Sequence, residues 1–72
     1  MKFIEEAKYK DNIGIYAITN TLDGNQYIGQ TGNSFQRRYW HHCWKLRHGC
    51  HDNAHLQASY DKHGEDAFVF EV

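Results

Sequence analysis

Residues 13–31 read IGIYAITNTLDGNQYIGQT, and the fold turns on this stretch. Ile13 to Thr19 is β-branched and aromatic with roughly alternating character, and Gln26 to Thr31 repeats that texture. Asp23-Gly24 between them is a pair that tolerates positive φ, so the spacing predicts an antiparallel hairpin closed by a tight turn at that point. Downstream, Gly32-Asn33-Ser34 breaks the second strand, Ser34 is the expected N-cap, and Phe35 to His48 reads as a helix closed by Gly49. Asn53 is placed to cap a shorter helix from Ala54 to about His63, closed by Gly64, and Ala67 to Val72 reads as a third strand. The expected order is β-β-α-α-β, an α+β fold with a small antiparallel three-stranded sheet covered by helices. Upstream, Phe3, Ile4, Ala7 and Tyr9 fit either a short amphipathic helical turn or an irregular strap.

Seventy-two residues support one domain with a thin core. The 15% aromatic share compensates, because each ring covers more area than an aliphatic side chain, and it argues against disorder. A net charge of -1 excludes a module that holds polyanions through its summed field, so any grip on nucleic acid has to be local. Six histidines make pH sensitivity an expectation. No run is long and apolar enough for a membrane span, and MKFIEEAKYK is too charged for a signal peptide. The expected setting is cytoplasmic, without membrane contact, with Cys43 and Cys50 as reduced thiols.

On the first predicted helix, about 100° per residue puts Phe35, Tyr39, Cys43 and Leu46 on the stripe that faces the sheet. His42 falls inside that stripe. Arg38 lies at its edge, one turn before His42, so the two side chains converge near the sheet surface. Both are costly to desolvate without partners from the strands, and Tyr16 and Tyr27 are placed to supply them. On the helix pattern alone, a solvated Arg38 and a hydrogen-bonded core His42 are the preferred reading, since most such residues are structural.

The strands add a stronger signal. Gly14-Ile15-Tyr16 is followed, after ten intervening residues, by Tyr27-Ile28-Gly29, and together with Phe35-Gln36-Arg37-Arg38-Tyr39 and His42 this resembles the GIY-YIG nuclease family. Gly49-Cys50-His51, Leu56-Gln57 and Lys62-His63-Gly64 are similar to its homing-endonuclease branch. The resemblance runs from about Ile13 to Val72, leaving residues 1–12 as an N-terminal extension of a single domain over residues 1–72. It implies hydrolysis of DNA phosphodiester bonds, with both phenols directed into the site and one of them positioning or deprotonating the attacking water. Arg38 would then stabilise the scissile phosphate through its bidentate fork, His42 would relay protons or orient water, and His51 would touch phosphate or assist the same traffic. Each tyrosine could equally be a plain core residue with a satisfied hydroxyl. Gly14 and Gly29 are expected to allow close backbone approach.

Family nucleases hold one divalent metal, Mg²⁺ or Mn²⁺, through a glutamate on a helix after the third strand. Residues 67–72 reach only that strand, and Glu71 does not match the ligand's place, so no metal ligand is assigned. Slow or absent cleavage by these residues alone is the expectation, with DNA as partner and affinity supplied by a separate DNA-binding domain or a second copy pairing with an open edge of the third strand. A catalytically silent DNA-binding or regulatory domain on the same fold is the alternative. Arg37, His41 and Lys45 are the expected DNA contacts on the outer side of the helix. Trp40 and Trp44 are expected to be buried under residues 1–9, since two indoles in water would make an unusual apolar patch. Cys43, Cys50, His48, His51 and His55 also admit a structural zinc site, although their spacing lacks the usual short ligand pairs.

Overall fold

A computed structural model describes all of residues 1–72. The hairpin forms as expected, from β2 (Gly14–Asn20) and β3 (Gln26–Thr31), antiparallel with Tyr16 opposite Gly29 and Ile18 opposite Tyr27. Its connection is longer than a tight two-residue turn. Asn20 organises it: the Asn20 side-chain oxygen accepts from the Leu22 N–H at 2.9 Å, and its carbonyl accepts from the Gly24 N–H at 2.8 Å. Buried, Asn20 also donates to Ser59 Oγ at 3.1 Å, so a polar side chain takes the role that a short turn dipeptide would have had. Gly24 does take positive φ, at 78°.

Helix α2 (Phe35–Arg47) starts at Ser34, whose side chain accepts from the Arg37 N–H at 3.2 Å. Helix α3 (Ala54–His63) starts at Asn53, whose side-chain oxygen accepts from the Leu56 N–H at 3.0 Å. Both caps are those expected from the sequence, because each satisfies a backbone donor that a helix start leaves unpaired. A 3₁₀ turn over Glu65–Ala67 leads into β4 (Phe68–Glu71).

The sheet departs from expectation in having four strands, with β1 (Lys2–Phe3) the added one and the order β1-β4-β2-β3. Strand β1 pairs in parallel with Val69 and Phe70, making the sheet mixed, and α1 (Glu6–Tyr9) then leads the chain toward α2. Two residues are too few for a periodic signal. The pairing is held by packing, with the Phe3 ring 4.7 Å from Phe70 and 5.2 Å from Tyr39. It also corrects the open edge expected on the third strand: β4 lies inside the sheet between β1 and β2, and the outer strands are β1 and β3.

Alternation sends Tyr16, Ile18, Phe68 and Phe70 to one face, where Phe3, Phe35, Leu46 and Leu56 complete a single core. Ile15 and Ile28 point the other way and remain exposed. Trp40 and Trp44 are also exposed, contrary to the expected burial, at 59% and 58%. The strap is too short to reach round the helix: it covers Tyr39, whose hydroxyl donates to the Met1 carbonyl at 2.5 Å, and Trp44 stacks on His48 instead. Burial pushes the Tyr39 phenol up to about 12. No helix is long and apolar enough to cross a membrane.

Candidate active site

Tyr16 and Tyr27 lie on the same sheet face, since Tyr16 shares its side with Ile18 and Ile18 is the cross-strand partner of Tyr27. Tyr16 is fully buried and its ring stacks on Phe70, with centroids 4.7 Å apart. Opposite it, Gly29 has a purely steric duty. A Cβ there would stand 2.3 Å from Tyr16 Cζ and 2.4 Å from its oxygen, so the phenol lies across the space a side chain would fill. Gly14 is needed for a different reason, because its φ of 140° is one that other residues rarely adopt. Gly29→Ala should therefore cost about 1–3 kcal/mol by overpacking, read as a drop in Tm, with Tyr16 displaced from its partners. A variant melting within 2 °C of the parent, by the usual order-of-magnitude relation between Tm and stability, would contradict that steric account.

Helix α2 delivers the other groups. His42, 4% exposed, places Nε2 at 2.6 Å from the Tyr16 oxygen. Arg38 donates from Nη2 to the same oxygen at 3.4 Å, while its buried Nε has no partner. From the loop before α3, His51 approaches with Nε2 at 2.7 Å from His42 Nδ1, and the two imidazoles stack. The Tyr27 ring stands edge-on to both, with centroids 5.6 Å from His42 and 6.0 Å from His51. All five residues singled out by the sequence, Tyr16, Tyr27, Arg38, His42 and His51, thus meet in one cluster.

Burial sets the electrostatics. It pushes His42 down to about 3, with His51 and Arg38 adding to the effect, and it lowers His51 as well. Burial raises the Tyr16 phenol above its ordinary value although Arg38 pulls the other way. The consequence for stability has a definite sign. Unfolded His42 takes up a proton near 6.5 while the folded imidazole does not, so stability is fully present above that value and is lost as pH falls from 6.5 toward 3. The loss from His42 alone is about 2 kcal/mol by pH 5. Urea midpoints measured at pH 7 and pH 5, above the carboxylate range, should show this fall; a constant midpoint would contradict a neutral buried His42.

Around this cluster Arg37, His41 and Lys45 recur at one-turn spacing on the neighbouring stripe of α2. Arg37 and His41 are exposed, and Lys45 is committed to Asp52 at 2.8 Å. A hollow of about 500 Å³ between the hairpin and α3 takes in Tyr27, Asn53, His55 and Lys62 but not the other four members of the cluster. Gln57 belongs to the Leu56-Gln57 motif of the sequence resemblance, which assigns it no role. In the structure its amide bonds to the His51 N–H at 3.0 Å, the Leu46 carbonyl at 3.0 Å and Asp61 at 2.9 Å.

The cation implied by the family resemblance does not suit the residues present. Asp52 is turned to Lys45, Glu71 accepts from Thr19 Oγ1 on the opposite sheet face, and both ring nitrogens of His42 and of His51 are already hydrogen-bonded. A hard divalent ion needs oxygen ligands, usually with a carboxylate among them, and none joins the cluster. The zinc alternative also fails to assemble. Cys43 is buried, Cys50 is exposed, and no three His, Cys, Asp or Glu side chains gather as ligands.

Comparison with known proteins gives the same picture. The model of the GIY-YIG catalytic domain matches residues 12–72. Intron-associated endonuclease 1 of Enterobacteria phage T4 is 43% identical over 58 residues, covering 81% of this chain and 22% of that protein. Probable intron-encoded endonuclease 1 of Neurospora crassa is 38% identical over 61 residues, covering 85% of this chain and 18% of that protein, so the chain spans about a fifth of these relatives' length. Among solved structures, the catalytic domain of homing endonuclease I-TevI superposes with a TM-score of 0.79 at 36% identity, over 85% of this chain and 64% of that one. A mutant of the I-TevI catalytic domain gives 0.75 at 38%, over 83% and 60%. With its two tripeptides on paired strands, its Arg38 and His42 on the following helix and this match over most of its length, the chain belongs to the GIY-YIG catalytic domain family.

Proposed function

We propose that the chain is the cutting domain of a DNA endonuclease and hydrolyses phosphodiester bonds at the Tyr16 cluster. One observation carries the reading: a single phenol oxygen receives a guanidinium at 3.4 Å and an imidazole at 2.6 Å beside a second phenol. Phosphoryl transfer asks the protein mainly for positioning and for charge stabilisation on the equatorial oxygens. Arg38 supplies the charge. Holding its side chain half-buried with an unmet Nε donor is unfavourable in the free site, and an arriving phosphate offsets that cost with charge-assisted bonds. Tyr16 aligns the attacking water and, as phenolate, takes its proton; His42 holds the phenol oxygen in place, and Tyr27 and His51 wall the site. Arg37 and His41 extend the contact surface along α2 toward the DNA backbone, and Lys45 joins them when released from Asp52.

Family nucleases use a divalent metal such as Mg²⁺ or Mn²⁺, which supplies Lewis-acid stabilisation of the phosphoryl oxygens when bound. Since the cluster holds no carboxylate, these 72 residues alone are proposed to cut weakly. The longer reach of the relatives supports a separate DNA-binding part as the source of affinity, and the outer edge of β3 is where a second copy would pair. The second reading is a DNA-binding domain of the same fold that does not cut, since a fold does not by itself carry an activity.

Nicking of supercoiled plasmid with Mg²⁺ or Mn²⁺ separates these readings. Tyr16→Phe keeps the stack on Phe70 and removes only the oxygen, so nicking should be lost in a chain that still folds, with about 1–3 kcal/mol of stability lost because His42 Nε2 is left without its partner. If the Tyr16 phenolate is the base, its raised pKa makes the rate climb about tenfold per pH unit between pH 7 and 9. A pH-independent rate would take the base role from Tyr16, and DNA binding without nicking in either metal would favour the non-cutting reading.

A further inference from the structure

The hydrogen bonds around His51 admit one arrangement of protons. The Asn53 backbone nitrogen, which can only donate, lies 3.0 Å from His51 Nδ1, so that ring nitrogen presents its lone pair. Burial keeps both imidazoles neutral at ordinary pH. A neutral His51 with Nδ1 accepting carries its proton on Nε2 and donates it to His42 Nδ1 at 2.7 Å. His42 in turn carries its proton on Nε2 and donates to the Tyr16 oxygen at 2.6 Å. The reverse arrangement would bring His51 Nδ1–H against the Asn53 N–H, two donors face to face. The Arg38 guanidinium, always a donor, reaches the same oxygen. The phenol oxygen therefore receives two donors, and its own proton points away from both.

The arrangement depends on where the His51 loop stands, and Gln57 sets that. Its oxygen accepts from the His51 N–H, while its nitrogen donates to the Leu46 carbonyl at the end of α2 and to Asp61 on α3. The partners fix which way the amide faces, since only its oxygen can meet an N–H and only its nitrogen a carbonyl. One side chain thereby joins the last turn of α2, the loop and the first turn of α3.

We propose that Gln57 is a positioning residue for the active site: by clamping the His51 loop to the end of α2 it fixes the His51 and His42 tautomers, and so places two donors on the Tyr16 oxygen. The catalytic consequence rests on the nuclease reading; the tautomers do not. Long-range ¹⁵N–¹H NMR of the imidazoles, recorded on the whole chain at pH 7.5 without DNA or metal, tests the two apart. Both His42 and His51 should show a protonated Nε2 and a lone-pair Nδ1. Protonated Nδ1 on either ring in the unmodified chain overturns the proposal without recourse to any variant. Gln57→Met keeps volume and helix propensity but removes the three bonds, so the His51 signals should average between tautomers. Plasmid nicking with Mn²⁺ should then fall at least tenfold in kcat with little change in KM. Unchanged tautomers in a folded Gln57→Met chain overturn the proposal. Fixed tautomers that loosen in the variant support it, and if the parent chain does not nick DNA, that result sinks the nuclease reading alone.

Discussion

Phe70→Ala should unfold most of the domain at physiological temperature. The side chain is completely buried and touches Phe3, Tyr16, Phe35 and Tyr39, with ring centroids between 4.7 and 6.5 Å. Truncating a buried phenylalanine costs about 3–5 kcal/mol, the transfer free energy plus the cavity left behind. For a domain of 72 residues that is a large part of the whole, because total stability runs at roughly 0.05–0.15 kcal/mol per residue. Tm should fall by about 15 °C or more, with Phe70→Leu losing much less. The site goes with the core, since the face of Tyr16 is held by Phe70. A loss below about 1.5 kcal/mol would mean that the cluster of rings is not what holds β1, β2 and β4 together.

Arg38→Ala should act in the opposite way, on chemistry and not on folding. If the guanidinium stabilises the charge that builds on the phosphoryl group, its removal costs about 10²–10³-fold in cleavage, the usual effect of deleting one preorganised donor. Melting should hold steady or rise slightly, because the change removes a buried Nε that has no hydrogen-bond partner, offsetting the lost packing. Arg38→Lys should restore only part of the rate, since an ammonium keeps the charge without the planar fork. Single-turnover nicking and thermal melts on the same three proteins decide the matter. An Arg38→Ala chain that melts far lower but cuts normally would make Arg38 a structural residue.

Much of the fold and of the site is legible in the sequence, for identifiable reasons. Ser34 and Asn53 marked the helix starts because a cap is a local bond between a side chain and a backbone amide a few residues on. Arg38 and His42 could be placed beside the tyrosines because helical and strand periodicities are fixed by backbone geometry. What failed depended on contacts remote in sequence. The short β1 exists only because Phe3 meets Phe70, and Trp40 and Trp44 stay in water because the strap spends its reach on Tyr39. The hairpin loop departs from a tight turn for a similar reason: Asn20 answers to Ser59 as well as to its own neighbours. Gln57 was invisible as a clamp, since nothing in its sequence spacing shows that its amide faces the ends of two helices.

The position of β4 between β1 and β2 has a consequence for how the molecule comes into being. Its residues leave the ribosome after everything they join, so the nascent chain has a hairpin and two helices with no middle to assemble on. Joining Phe3 to Phe70 closes a loop of nearly the entire sequence, a step whose entropy cost precedes its reward. Until that seam is made, Tyr16 has no Phe70 ring to rest on, so the groups around its oxygen come together last.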